Sequence, residues 1–400
     1  MATIDQQLPP EELEPEFEGD ALEVEQTDGD EEAPDAGLRP KISPLDRKLI
    51  TRPYDLAVSE LVAQIAGGDL ILNPVYQRKY VWDDIKASKL IESLVINIPI
   101  PVIYLVEEED GTCSTIDGQQ RLRSIYRYLN NEFRLTGLEV LADLNERRYL
   151  ELGEREQRLI ARRAIRGIVV GQASHPDIRF DVFERLNTGS VALTTQEIRN
   201  SAFRGPFNDL LHELANSDAL RQCFSNRANT RMTTEELVLR FFALDEHLLE
   251  YRPKLKKFLT IYMRENRQLG AEGIASKRAS FLSTVAKVYS VFSGSAFRRT
   301  VVEDRKIRWI PQINSALYDV VMLNFARLDV EPEQLKASRA RIRQGMERLA
   351  TRDDEFADAI SRSTSDRHRL LRRVALFGRM LEGLGLQSGL AEEIEALQGR

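Results

Sequence analysis

The chain is 400 residues long, 42% apolar, with a mean hydropathy of −0.35 and a net charge of −7, which is enough chain for two or three domains with buried cores. Its longest apolar runs, such as Pro99 to Leu105, are far too short to span a bilayer, and with no cationic, apolar leader the expected location is the cytoplasm. Cys113 and Cys223 lack CxxC or Cys–His spacing, which argues against a disulfide framework or a zinc site.

The net charge hides a division. Residues 1–36 hold fourteen Asp or Glu and no Lys or Arg, so the remaining 49 acidic residues face 56 basic ones and the body carries about +7. Such a balance suits a nucleic-acid partner with the tail as internal competitor, and equally a tail that only solubilises. Residues 1–45 lack periodicity and are expected to be disordered. Ser59 is placed to cap a helix carrying Leu61, Val62 and Ile65, ended by Gly67-Gly68. Leu70 to Leu72 reads as a short strand stopped at Asn73-Pro74.

Pro74 to Trp82 interleaves Tyr76, Tyr80 and Trp82 with Arg78 and Lys79. The cations could meet phosphate while the rings stack on a base, or the rings could be core with solvated cations at its edge. Asp83 caps a helix with Ile85, Leu90, Ile91, Leu94 and Val95. Ile98 to Val106 is an apolar strand that turns through Glu107 to Gly111 and pairs back as a hairpin over Cys113 to Ile116.

The hairpin delivers Asp117-Gly118-Gln119-Gln120-Arg121, followed at helical spacing by Leu122, Ile125, Tyr126 and Leu129. A strand turning through glycine into a helix start offers amide hydrogens and a positive dipole end, which suits an anion. Gly118 allows close approach to the backbone, and Arg121 adds a planar fork for phosphate oxygens. The alternative is an ordinary strand–turn–helix with Asp117 capping the turn.

Residues 139–172, dense in Arg and Glu, read as helical with an ion-paired solvated face. Val182, Phe183 and Leu186 form a helical stripe stopped by Asn187-Thr188-Gly189, with Arg185 and Asn187 at the stop. Thr194 or Thr195 then caps a helix in a capping-box arrangement with Glu197. From Phe207 on the pattern is helical: a helix opened by Thr234, others at 274–292, Ile313 to Phe325 and Pro332 to Leu349, and a last one opened by Ser365-Asp366. That last start carries Arg367, His368, Arg369, Arg372 and Arg373, read as a solvated face in preference to a phosphate contact. The expected fold class is α+β, a small mixed sheet with helices followed by a helical bundle. The expected domains are a tail at 1–45, a sheet domain at 46–205 and a helical domain at 206–400.

Three segments in this order resemble a known family. Tyr76-Gln77-Arg78 with Trp82, then Asp117 to Arg121, then Phe183 to Gly189 followed by Glu197-Ile198-Arg199-Asn200, are similar to domain-of-unknown-function 262. This is the GmrS-like half of GmrSD-type modification-dependent restriction systems, with a ParB/sulfiredoxin-like fold. The resemblance spans about residues 55–205. It implies nucleotide binding and NTP hydrolysis (ATP or GTP, with Mg2+), coupled in phage defence to modified DNA. Carried over, Asp117, Gly118, Gln119, Gln120 and Arg121 form the nucleotide site, Tyr76, Gln77 and Arg78 line it or meet DNA, and Arg185 with Asn187 closes it. Asp117 is the expected magnesium contact or the group orienting water, Gln119 or Gln120 would position that water, and Arg121 with Arg78 would neutralise developing charge.

Two-part members of the family also carry a His-Asn-His nuclease half. Here His175, His212, His247 and His368 are scattered, so the nuclease half is expected to be absent or to lie on another polypeptide. The partners expected are a nucleoside triphosphate, DNA, a separate effector and no membrane, with self-association left open. The alternatives are a non-catalytic DNA-binding module using the same loop, or a stand-alone nuclease whose further carboxylates would come from Glu107 to Asp110.

Overall fold

The computed structural model describes residues 24, 48–72, 80, 82–108, 110–186, 194–225, 232–303 and 306–398. The expected disorder of the tail therefore lies, Val24 apart, outside the described residues, as do Tyr76, Gln77, Arg78 and Asn187. The chain divides into two compact units, one over residues 39–202 and one that takes in 203–400.

The first unit is a mixed sheet with helices. Its strands are β1 (Thr51–Pro53), β2 (Leu56–Ala57), β3 (Leu70–Ile71), β4 (Ile103–Glu107), β5 (Cys113–Asp117), β6 (Ala164–Ile165) and β7 (Gly167–Val170). Five of them form one sheet in the order β1-β7-β4-β5-β3, and β2 pairs with β6 separately. The helices are α1 (Val58–Gly67), α2 (Asp84–Ile96), α3 (Gln119–Leu129), α4 (Glu154–Ala161), α5 (Pro176–Leu186) and α6 (Thr195–Ala202). Leu61, Ile91, Leu94, Leu122, Ile125 and Tyr128 bury the apolar stripes of α1, α2 and α3 in one core with Ile103, Leu105 and Val169 of the sheet.

Local signals act where the sequence places them, with exceptions. Asp83 caps α2 by accepting from the Lys86 amide at 2.7 Å, and Gly68, at φ +85°, ends α1. Thr194 and Glu197 close the reciprocal capping box, with the Thr194 amide donating to Glu197 at 2.6 Å and the Glu197 amide to Thr194 at 3.2 Å. The cap of α1 is not Ser59, which is the second residue of the helix; Ala57 holds that place without a side-chain bond.

The larger correction concerns residues 139–172. They are not one helix. Only α4 is α-helical there, and Gly167–Val170 is β7, a strand inside the main sheet between β1 and β4. Ile168, Val169 and Val170 are a β-branched run, and pairing to both neighbours outweighs the helix-forming Arg and Glu that precede them.

The second unit is helical: α7 (Pro206–Ala215), α8 (Asp218–Cys223), α9 (Thr233–His247), α10 (Leu255–Asn266), α11 (Ala271–Phe292), α12 (Ser315–Arg327), α13 (Pro332–Arg352), α14 (Asp354–Ser361), α15 (Arg367–Glu382) and α16 (Leu390–Gln398). One hairpin, β8 (Thr300–Glu303) and β9 (Lys306–Trp309), interrupts it. Pro332 stands at the start of α13, and Asp366 caps α15. The basic start of α15 is only in part a solvated face: His368 is exposed and Arg367, Arg369 and Arg372 are half-buried, but Arg373 is not at the surface. Arg373 is fully buried, donating to Asp319 at 2.9 Å and to the carbonyls of Ala359 and Thr364. Arg240 reaches the same carboxylate, with its Nη2 at 2.6 Å.

Among the described residues, no helix is long and apolar enough to cross a membrane. Both cysteines are free and buried.

One contact in this unit makes stability depend on pH. His212 of α7 meets the buried Glu235 of α9 at 3.2 Å. That hydrogen bond raises the imidazole above its usual range, against the opposing effect of burial and with help from the charges of Glu235 and Asp209. A raised folded value adds stability that is complete below the unfolded pKa, about 6.5, and is lost as pH rises through the folded value. His212→Gln should therefore cost stability at about pH 5.5 and little at about pH 8.5 in urea titrations. At a side chain 43% exposed the screened effect stays below about 1 kcal/mol.

Candidate functional site

Strand directions bring the sequence cues to one edge of the sheet. β3 and β5 are parallel neighbours, so both carboxyl ends point the same way. β4 runs antiparallel to β5 and parallel to β7, which puts the starts of β4 and β7 at that same edge, with Ile103 opposite Gly167 and Tyr104 opposite Asp117. Open sheets bind ligands beyond the carboxyl ends of parallel strands. Here the end of β3 leads toward Tyr76, Gln77 and Arg78, and the end of β5 leads into α3.

The final turn of β5 is irregular. Leu105 faces Thr115 but Tyr104 faces Asp117, so Ile116 is an extra residue that bulges the strand and re-aims the carboxylate after it. Gly118 follows with φ +104° and no side chain to cap α3. A Cβ there would stand 2.6 Å from Ile103 Cγ2. Glycine is thus demanded by conformation and by the packing of β4 at once, and the space beside it belongs to Ile103, where the sequence suggested room for a ligand.

Asp117 and Arg121 hold one another. Asp117 accepts the Gly118 amide at 2.8 Å and Arg121 Nη2 at 2.9 Å. Arg121 also donates to the carbonyls of Pro101 and Val102, and its side chain is 12% exposed against 42% for Asp117. The guanidinium is therefore a fixed brace across the edge, and Asp117 is the group of the pair that meets solvent.

Gln119 and Gln120 are buried in the first turn of α3. Gln120 Oε1 accepts the Trp82 amide at 3.3 Å, and the Tyr80 hydroxyl meets Ser124 at 2.9 Å. Tyr80 and Trp82 are thereby pinned to α3. Tyr80 lies under the Arg127 guanidinium at 4.8 Å and Trp82 beside Lys86 at 4.7 Å. Arg127 is further held by Asp84 at 3.1 Å. Ser124 and Arg127 escaped the sequence reading because only the placement of Tyr80 against α3 gives them a role.

The remaining described motif residues lie on α5 and α6. Arg185, at the last turn of α5, is 68% exposed and pairs loosely with Asp181 at 3.8 Å. No described hydrogen bond or ion pair joins it to residues 117–121. Glu197, Arg199 and Asn200 are buried in α6, where Gln196 donates to Asn200 at 2.7 Å and accepts from Arg199 at 2.9 Å.

These features define an α+β domain whose candidate site lies where adjacent parallel strands end and a helix begins. The model of the GmrSD restriction endonuclease N-terminal domain matches residues 58–204, a little over a third of the chain. That stretch is similar to the N-terminal domain of a GmrSD-type restriction endonuclease. No curated protein is a significant match to the chain.

Proposed function

We propose that the edge formed by β3, β5 and the start of α3 binds a nucleoside triphosphate, ATP or GTP with Mg2+, and hydrolyses it. The chain would then be the sensor or regulatory component of a DNA-directed restriction system, acting with a separate effector. The observation that carries this reading is the convergence, at one sheet edge, of a helix N-terminus, the braced Asp117–Arg121 pair and the chain leaving β3 for Tyr76, Gln77 and Arg78.

The positive end of α3 suits phosphate oxygens. Arg78 would supply a second positive charge, while Arg121, already committed to Asp117 and two carbonyls, fixes the direction of the carboxylate. Gln119 and Gln120 set the first turn against the loop and stand next to any water that attacks.

The donor set fits magnesium of one kind. Among the described residues no group of three or more His, Cys, Asp or Glu could hold a metal. Mg2+ in nucleotide sites takes one or two carboxylates together with phosphate oxygens and water, so Asp117 would hold an ion that arrives with the nucleotide. When bound, the ion neutralises phosphate charge.

The test is phosphate release from ATP and GTP, with and without DNA. Asp117→Asn is expected to lower release about a hundredfold or more while circular dichroism stays unchanged. If the natural chain neither binds nor turns over either nucleotide under any of these conditions, the enzyme reading falls. Salt-dependent DNA binding would then mark the same loop as a holder of backbone phosphate.

A further inference from the structure

The helical unit carries an open cleft of about 340 Å³ between β8, the end of α13 and α14. Arg299, Thr300, Thr351, Asp358, Ser361 and Arg362 are among its lining residues, and Asp358 is the only acid in that lining. Asp358 is engaged by Arg369 at 2.5 Å, and Arg362 approaches it only to 3.9 Å with a side chain 72% exposed. Thr351 and Ser361 spend their hydroxyl protons on carbonyls of their own helices. The polar character of the cleft is thus cationic. Arg352, the residue that follows the lining Thr351 at the end of α13, is exposed.

The strip of chain beside the cleft has a partner. Ile310 donates its amide to Arg299 and Asn314 its amide to Phe297, and the Asn314 side chain donates to the Ile360 carbonyl at 2.8 Å. Residues 310–314 therefore border the cleft wall at Arg299 and Ile360. Ile313, in that strip, forms an isolated parallel bridge with Val24. Val24 is flanked in sequence by Glu23 and Glu25 and lies amid the fourteen carboxylates of residues 1–36.

We propose that this cationic cleft is a docking site for the chain's own acidic segment, residues 11–35, anchored at Val24. Charge complementarity selects the occupant: a run of carboxylates with no Lys or Arg meets a lining with two arginines, Arg299 and the exposed Arg362, and a single carboxylate that is already paired. The covalent tether raises the effective concentration, so weak contacts suffice. In this state the segment screens the arginines of α13 and α14 from any other polyanion, a nucleic acid included. Neither the bridge nor the cleft involves the Asp117 edge, so the inference stands independently of nucleotide turnover.

Hydrogen exchange over residues 20–28 of the full-length protein, together with Glu-C cleavage after Glu23 and Glu25, tests this. At low salt the segment should be protected. Arg362→Glu with Arg352→Glu, both at exposed positions, should speed exchange and cleavage about tenfold, as should high salt. Adding Glu23→Arg and Glu25→Arg to that pair, which removes the two Glu-C sites, should restore protection from hydrogen exchange. An unprotected segment at low salt overturns the proposal, and so does protection that ignores both the charge reversals and salt. Protection appearing only in the presence of added DNA overturns it as well, since the cleft would then belong to another polyanion.

Discussion

Gly118→Ala should lower the unfolding free energy by about 4 kcal/mol, the sum of a backbone forced into a sparsely populated region and an overpacked contact. The φ of +104° is one part, and the 2.6 Å and 3.0 Å approaches to Ile103 Cγ2 and Cβ are the other. Gly68→Ala separates them: its φ is +85°, yet nothing lies within 4 Å of a Cβ built there, so it should cost only about 1 kcal/mol. Ile103→Ala in the Gly118→Ala background should cost less than the two changes summed, because the methyl that collides has gone. Urea titrations of the four proteins provide the comparison. Equal losses at Gly68 and Gly118 would mean that β4 yields at Ile103. The edge would then be soft, and a site requiring Asp117 and Arg121 in fixed geometry would lose its support.

The same residue shows what could be read from sequence. The strand ending in Asp-Gly, the amphipathic helix after it and the hairpin before it are all local patterns, and the structure has each of them. So are Asp83 and Asp366 as caps and the Thr194–Glu197 box. What glycine is for at position 118 was not legible, because Ile103 is fifteen residues upstream and only strand pairing makes them neighbours. Arg121 likewise looked like a phosphate ligand, and its engagement with Pro101 and Val102 depends on where the start of β4 lies. Residues 139–172 failed for a related reason. Charge spacing spoke for a helix, whereas the short apolar run 168–170 pairs with β1 and β4, which lie far away in sequence. A strand of four residues with partners on both sides carries little signal of its own.

Asp319→Asn is expected to destabilise the helical unit by about 3–5 kcal/mol, the cost of leaving buried charge without its counter-ion. The carboxylate is fully buried in α12 and serves two guanidiniums, Arg240 from α9 and Arg373 from α15. Burial pushes Arg373 down to about 10 against the pull of Asp319, and the charge of Arg240 pushes the same way as burial. Arg373 is thus the uncomfortable member of the trio and Asp319 the one on which both cations depend. Arg373→Met removes the charge that burial penalises but also orphans the Ala359 and Thr364 carbonyls, a loss of about 1–3 kcal/mol. It should therefore cost less than Asp319→Asn. Joined to Asp319→Asn it should add less than its own single effect, since one unpaired cation disappears with it. Denaturant titrations of the two single variants and the double decide this. Additive losses would show that the arginines are held by their carbonyls and by Glu236 near Arg240, with the central carboxylate incidental to the union of α9, α12 and α15.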